Sequence, residues 1–477
     1  MRVRRIQTHS GQTGRGDLFV ALRGSNDDGS HYIDEAVRRG AAAVCAQDSG
    51  PLLRGHPPGG PPPRGKRPAR LVVQDTRTAL ARMAALYYGE PARRLDLFAV
   101  TGTNGKTTTA CTLASILRAA GRCAGLIGTI GYKIGSEILG SGLTTPDPLT
   151  IHDLLAKMTS RGATDAVFEV SSHALDQKRV HGLEFKIAAF TNLSPEHLDY
   201  HGTLAHYLEA KKTLFAGLGR GSAAVLNRDD AVYAALRRAC GAGQILSYSI
   251  LDRDADLRAR EISIEPDSMA LELSTSWGDI EIRTALLGKH NLANICAAAA
   301  AALLAGAGPD AVVRGIESLG AVPGRLERVD GGRDFKVYID YAHTPEALRE
   351  VLRTLRPLTP GRIITVFGCG GDRDRLKRPQ MAAAAAAGSN LAVVTSDNPR
   401  NEPVERILDE IVAGFDRGAR WERVSDRDRA IAFALAQAKA GDTVLVAGKG
   451  HERTQAVAGS LRPFDDRMRI LEHLNNG

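Results

Sequence analysis

The sequence predicts an α/β protein of three domains built on mainly parallel sheets, and three observations carry that prediction. The chain has 477 residues, which at ~150 residues per domain is about three domains. Short runs of β-branched and apolar residues alternate with helical stretches, the order that yields a parallel sheet flanked by helices. Those runs end in polar residues, at the sheet edge where such folds collect their ligands. With 43% hydrophobic and 24% charged residues, the composition is that of a globular chain. It excludes a disordered, fibrous or disulfide-scaffold protein.

The first segment, residues 1–93, contains the strand-like DLFVAL (17–22) and AAAVCA (41–46). Residues 51–70 then read PLLRGHPPGGPPPRGKRPAR. So much Pro and Gly with basic residues cannot bury apolar surface, so a flexible surface excursion is expected, with a basic binding tail as the lesser alternative. The second segment, 94–321, opens with the apolar LDLFAV (95–100), a Gly-rich turn and a helix over about 107–120. Further strands are expected within AVFEVSS, KIAAFTNLS and SAAVLN. The third segment, 322–477, repeats the plan with KVYID (336–340), IITVFG (363–368), LAVVTS (391–396) and TVLVAG (443–448). The alanine run 382–387 reads as a helix between two strands.

Charge and cysteine usage narrow the function classes. The net charge is +8, without a strong basic block, which suits anionic small molecules at least as well as nucleic acid. Aromatic residues are only 5%, which argues against a base-stacking platform. None of the six cysteines forms a Cys-x-x-Cys pair, so neither a zinc site nor a disulfide framework is indicated, and a reducing cytoplasm is expected. MRVRRIQTHS has no apolar run behind it and does not read as a signal peptide. The richest apolar stretch, 295–307, is too short for a membrane span.

The strongest local signal is VTGTNGKTTT, residues 100–109, between a predicted strand and a predicted helix. Backbone N–H groups of such a loop cradle phosphates together with the helix N-terminus. Lys106 is then expected at the β- and γ-phosphates and Thr107 at Mg2+. The upstream glycine is Gly102, whereas the usual spacing calls for one at position 100. Glu169 and His197 follow two later strands and could hold a metal beside the nucleotide phosphates; taken singly, Glu169 reads rather as a satisfied polar group and His197 as a loop-packing residue. Cys369 reads as a small packing residue between glycines.

In the third segment DYAHTP, GCGGDRD, SDNPR and GKGHE each follow a predicted strand. A parallel sheet brings these loops to one edge. Asp340, His343, Arg373, Asp397, Asn398, Arg400 and Glu452 are therefore expected to converge. A site holding both signs of charge suits a zwitterionic amino acid. A dinucleotide-binding turn in GCGGDRD ranks second.

GTNGKTT, EVSSHALDQKRV, TNLSPEHLDYHG, LLGKHNLANICAA, VPGRLERV, DYAHTPEAL, GCGGDRDRLKRP, SDNPR and GKGHE occur in this order, and together they resemble the Mur ligase family, its diaminopimelate-adding branch above all. The resemblance covers nearly the whole chain. It implies a UDP-sugar-binding domain (1–93), a central P-loop ATPase domain (94–321) and a Rossmann-like amino-acid-binding domain (322–477). It further implies ATP and Mg2+ as cofactors, with UDP-N-acetylmuramoyl-L-Ala-D-Glu and meso-diaminopimelate as substrates. A cytoplasmic monomer without nucleic-acid or membrane partners is expected.

Carried over by motif, the resemblance places ATP on Gly102, Thr103, Asn104, Gly105, Lys106, Thr107, Thr108, Asn294 and Arg325. The UDP substrate falls to Ser10, Thr144, Thr145, Ser171, Gln177 and Arg179, and diaminopimelate to Arg373, Asp397, Asn398, Pro399, Arg400, Gly448 and Glu452. Lys106, Lys211, Glu169 and His197 become the catalytic group. The metal falls to Thr107, Glu169, His197 and a carbamylated Lys211. Arg400 can pair with the second carboxylate that lysine lacks, so DNPR argues against a lysine-adding ligase. SSHALDQKRV and GCGGDRD argue against a folylpolyglutamate synthase, and the amino-acid crevice against a P-loop protein acting on nucleic acid. The family pattern Asp-Ser-Arg is replaced here by His9, Ser10 and Gly11, close to the first residue. An upstream start or a lost edge element is the expectation there.

Overall fold

The computed structural model describes residues 3–24, 27–47, 68–265 and 267–476. Three large sheets follow one another along the chain, and a two-stranded antiparallel hairpin, Thr454–Val457 with Ser460–Pro463, comes after them. The first has four parallel strands in sequence order, β1 (Ile6–Gln7), β2 (Leu18–Val20), β3 (Ala43–Gln47) and β4 (Ala69–Val73). Residues 51–67 of the Pro-rich stretch lie outside the described residues. Its last residues depart from the expected surface excursion. Ala69 and Arg70 pair with Ala43 and Val44, because a β-branched run that follows lets the chain add an edge strand.

The second sheet contains eleven strands: β5 (Asp96–Thr101), β6 (Ala124–Gly128), β7 (Gly131–Ile134), β8 (Glu137–Gly140), β9 (Asp165–Glu169), β10 (Phe185–Phe190), β11 (Ala223–Asn227), β12 (Gln244–Ser249), β13 (Leu257–Ile264), β14 (Met269–Thr275) and β15 (Gly278–Thr284). Their order is β15-β14-β13-β12-β11-β10-β5-β9-β6-β7-β8. The centre, from β12 to β6, is parallel as expected, whereas both flanks are antiparallel. The flanks differ because their strands bury one face only. In β15, Ile280, Ile282 and Thr284 are buried while the residues between them are exposed, the alternation typical of antiparallel sheets.

The helix Lys106–Ala119 leaves β5 and packs under this sheet with Lys289–Leu304 and Pro309–Glu317. Alanines 297–302 are all fully buried in the second of these. A Cβ on Gly315 would lie 2.4 Å from the Ile116 backbone, so a bare glycine lets the two helices approach. Pro148–Ser160 and Leu204–Ala216 cover the other face.

The third sheet has the order β16-β17-β21-β18-β19-β20, with β16 (Glu327–Val329), β17 (Lys336–Asp340), β18 (Ile363–Phe367), β19 (Leu391–Val394), β20 (Trp421–Arg423) and β21 (Thr443–Ala447). All but the β16–β17 pair are parallel. The alanine run 382–387 lies in the helix Lys377–Gly388, as expected. In the second sheet β5 sits between β9 and β10, so the chain leaves β5 to one side and returns on the other. Such a reversal opens a crevice at the carboxyl ends of the strands. Among the described residues no helix is long and apolar enough to cross a membrane.

Candidate active site

The loop after β5 turns back on itself through two glycines. Gly102 has φ +153° and a Cβ there would lie 1.9 Å from Thr191 Oγ1; Gly105 has φ +86° and its Cβ would meet Asn294 Oδ1 at 2.1 Å. The loop can therefore run against the segment after β10 and against the helix that carries Asn294. Its backbone is pinned there: Thr103 N–H donates to the Asn192 carbonyl at 2.8 Å and Asn104 N–H to Asn192 Oδ1 at 2.9 Å. Thr108 is buried in the helix, and its carbonyl accepts the Thr112 hydroxyl. Lys106 Nζ donates to the carbonyls of Gly102 and Thr103 at 2.9 and 2.8 Å. Burial lowers the pKa of this ammonium, against the opposing pull of Glu196 and Glu169.

Glu169, at the end of β9, is fully buried and satisfied. One oxygen accepts the Thr129 N–H at 2.8 Å; the other accepts the Thr107 hydroxyl at 2.8 Å and that of Thr129 at 3.0 Å. Arg325 reaches the same Thr107 hydroxyl at 3.1 Å and stacks over Tyr341 at 4.6 Å. Asn294 accepts from the Thr109 hydroxyl at 3.4 Å and donates to Asn291. The nucleotide group expected from the sequence is thus assembled around one hydroxyl, Thr107, and one carboxylate, Glu169. A hard cation that keeps most of its waters and takes phosphate oxygens needs only such a pair from the protein, so Mg2+ fits the donors. Among the described residues no group of three or more His, Cys, Asp or Glu forms a metal cage.

Lys211 lies in the helix Leu204–Ala216, sealed from solvent. Its Nζ donates to the Gly102 carbonyl at 2.8 Å and stands 4.5 Å from the Tyr207 ring. Burial, and then the charge of Lys106, push its pKa well below the usual lysine value, with Glu196 opposing. Lys212, its neighbour, pairs with Glu209 instead. His197 adopts φ +56° and meets His173 edge-on at 4.7 Å; burial lowers its pKa, and the charges of Lys106, His343 and Lys211 act in the same direction.

Glu196, which sequence reasoning passed over for its neighbour His197, occupies the centre of these charges. Its side chain is largely buried and bonded to His343 Nε2 at 3.2 Å. Burial acts to raise its pKa, but the His343 hydrogen bond and the charges of His197, His343 and Lys106 outweigh it and hold the carboxyl well below its usual range. His343 belongs to the loop after β17, and the loop after β21 likewise reaches across, through His451 Nε2 and the Thr129 carbonyl at 3.1 Å. The crevices of the second and third sheets therefore share one mouth.

In the third sheet the expected residues divide. Asn398 donates to Glu452 at 2.8 Å and is held from the other side by Lys449 and by the Ala456 N–H. Lys449 is fully buried and also donates to Glu452 at 2.9 Å; it is the lysine of the GKGHE run, and the sequence reading left it out. Arg400 has φ +52° and donates to the Gly371 carbonyl at 2.7 Å, while Pro399 packs its carbonyl where a Cβ on Gly371 would fall. Gly448 has φ +110°, and a Cβ there would meet Asp397 Oδ2 at 2.5 Å. That oxygen is buried with no hydrogen-bond partner among the described residues. Arg373 is exposed and donates to the neighbouring Asp372 carbonyl at 3.4 Å.

Asp340 is different from the expected convergent group. Both its oxygens accept backbone N–H groups, of Leu326 at 2.6 Å and Ala342 at 2.7 Å, so it clamps the Arg325–Leu326 turn. Cys369 is buried, which pushes its thiol up to about 12, as suits a packing residue.

The remaining expected group lies around the Glu169 backbone. The Thr145 hydroxyl donates to the Glu169 carbonyl at 2.7 Å and accepts the Ser171 N–H at 3.0 Å. Arg179 donates to the Thr145 carbonyl at 2.8 Å and to Gln177, and Thr144 meets Thr129 at 3.0 Å. Ser10 stands apart, at the start of a short 3-10 turn between β1 and β2, bonded to Glu35 at 2.7 Å.

Three family models together span most of the chain: the Mur ligase family catalytic domain over residues 2–88, the Mur ligase middle domain over 100–302 and the Mur ligase glutamate ligase domain over 324–450. The chain belongs to the Mur ligase family. A UDP-N-acetylmuramoyl-L-alanyl-D-glutamate–2,6-diaminopimelate ligase of Geobacillus thermodenitrificans is 42% identical to this Mur ligase over 95% of the chain and 91% of its own length. The protein of the same name from Gloeobacter violaceus is 43% identical over 98% and 93%. A solved structure of a diaminopimelate ligase of that name matches with TM-score 0.67 and 33% identity, covering 99% of this chain and 95% of its own. A MurF ligase from Thermotoga maritima in complex with ADP shares the fold, with TM-score 0.65 and 20% identity over 99% and 97%.

Proposed function

We propose that this Mur ligase adds meso-diaminopimelate to UDP-N-acetylmuramoyl-L-Ala-D-Glu at the expense of ATP, as a cytoplasmic step of peptidoglycan synthesis. The observation that carries the reading is the joint mouth of the two crevices, with a phosphate loop on one side and the DNPR run on the other, linked by Arg325–Thr107 and His343–Glu196. Near-full-length relatives bearing the diaminopimelate ligase name support the same substrate pair. In this reading residues 1–93 hold the UDP-sugar, 94–321 activate the acid and 322–477 deliver the amine.

ATP phosphates take the loop from Gly102 to Thr108, and Lys106 exchanges its two carbonyl partners for phosphate oxygens. Thr107 and Glu169 would hold Mg2+, with His197 and a carbamylated Lys211 beside them. The ion, when bound, offsets charge on the transferring phosphoryl group. The D-glutamyl γ-carboxylate attacks the γ-phosphorus and ADP departs, leaving an acyl phosphate. The neutral amine of diaminopimelate then attacks the acyl carbon. Collapse of the tetrahedral adduct expels inorganic phosphate, a proton is lost from nitrogen, and an amide remains. Arg400 pairs with the distal carboxylate of diaminopimelate, which lysine lacks.

Incubation with ATP, Mg2+ and the UDP-dipeptide, followed by meso-diaminopimelate or L-lysine in separate reactions, tests this by product mass. The expected product carries diaminopimelate. Lysine incorporation at a comparable rate would overturn the assignment of DNPR as selector.

A further inference from the structure

The helix Lys106–Ala119 carries a stripe of four residues at helical spacing, Thr107, Cys111, Ala114 and Arg118. Thr107 belongs to the nucleotide crevice. The other three line a separate, partly open cavity of about 140 Å³. Leu126 of β6 and the linker residues Leu319, Val322 and Pro323 close its apolar walls.

Two cations flank this hollow without an acidic partner among the described residues. Lys133 of β7 is half-buried, and its ammonium makes no hydrogen bond or ion pair among the described residues. Arg118, exposed at the rim, donates to the Ala114 carbonyl of its own helix at 3.2 Å and pairs with no carboxylate among the described residues. A half-desolvated ammonium beside an apolar wall gains most from a charged ligand group placed against it.

The linker wall leads directly to the nucleotide crevice. Arg325 N–H donates to the Val322 carbonyl at 3.0 Å, closing a tight turn, and the Arg325 guanidinium then reaches Thr107. Cys111 lies one turn beyond Thr107 on the same stripe. An occupant thus touches Cys111, one turn from Thr107, and Val322, whose carbonyl holds the Arg325 N–H.

We propose that this cavity binds a small amphipathic anion, an apolar body with one carboxylate or sulfonate, and that occupancy fixes the 322–325 turn and with it Arg325. The anionic group meets Lys133 and Arg118, and the apolar body lies against Ala114, Leu126 and Val322.

The test uses the full chain and 8-anilinonaphthalene-1-sulfonate as a fluorescent probe, with decanoate as competitor and decanol as its uncharged counterpart. Decanoate is expected to displace the probe at concentrations about tenfold below those decanol needs. Lys133→Ala, on the rim, and Ala114→Phe, which fills the floor, are each expected to weaken probe binding about tenfold. Saturating decanoate is expected to change wild-type turnover about threefold or more, and Lys133→Ala turnover not at all. Probe binding unchanged in both variants, displacement by decanol as readily as by decanoate, or equal decanoate sensitivity of wild type and Lys133→Ala would each overturn the proposal. The fluorescence arm is independent of which amino acid the enzyme adds.

Discussion

The Lys211 ammonium donates to the Gly102 carbonyl at 2.8 Å from a side chain with no solvent exposure, so a lysine of one helix braces the phosphate loop from within. Because burial and Lys106 lower its pKa, its neutral amine is more populated than that of an exposed lysine, and the neutral amine is what adds to carbon dioxide. In the proposed carbamylation the nitrogen–carbon bond would form, a proton would leave to solvent, and an anionic carbamate would result. Lys211→Ala is expected to lower kcat about a hundredfold, the size of losing one well-placed charge-stabilising group. Formate or acetate should restore part of it, and should do nothing for Lys211→Arg. Unchanged turnover in Lys211→Ala would remove the residue from the mechanism.

Glu196 and His343 are 147 positions apart in sequence and 3.2 Å apart in space, joining the segment after β10 to the loop after β17. If this contact operates during turnover, Glu196→Gln and His343→Ala are coupled. A double-mutant cycle on kcat/KM should give an interaction of about 1 kcal/mol. Strict additivity would mean that the two side chains part in the working enzyme.

The sequence made the parallel core of the fold legible because buried parallel strands are continuous apolar runs, as at 95–100 and 443–448. The flanking strands were harder to see. β13 carries Arg258, Arg260 and Glu261 on or near its solvent side, and charge on one face dilutes the apolar signal to the point where it reads as a loop. The phosphate loop was legible because turn glycines, lysine and threonine act within a few residues. Pairings such as Arg325 with Thr107, 218 positions apart, leave no local trace. Asp340 shows the same limit from the other side: its position at a strand end suggested a ligand, whereas both its oxygens are taken by backbone.

Arg400 is held in a left-handed conformation, φ +52°, with its guanidinium on the Gly371 carbonyl. Its other guanidinium nitrogens meet no acceptor among the described residues and can take a carboxylate in the paired geometry that arginine favours. Arg400→Ala is expected to raise KM for diaminopimelate about 30-fold or more, the scale of a lost charge-assisted pair, with KM for the UDP substrate unchanged. Arg400→Lys should recover little, since an ammonium cannot reproduce the fork. Equal loss for both substrates would place Arg400 in the scaffold instead.

Arg378 is fully buried between Glu402, at 3.0 and 2.9 Å, and Glu410, at 2.7 Å, and it also donates to the Gly370 carbonyl at 3.2 Å. It therefore ties the loop after β18 to the start of the helix Val404–Val412, on either side of the DNPR run. The Arg378 hydrogen bond lowers the Glu402 pKa to about 2. A carboxyl whose folded pKa is depressed contributes stability that is complete above its unfolded value, about 4.3, and is lost as pH falls through the folded one. Wild-type Tm should thus fall across the window from about pH 4.3 to 2. Glu402→Gln should start about 2 kcal/mol less stable at neutral pH, fall less steeply through that window, and approach the wild type at its acid end. Parallel curves for the two proteins would show that another carboxylate governs acid unfolding.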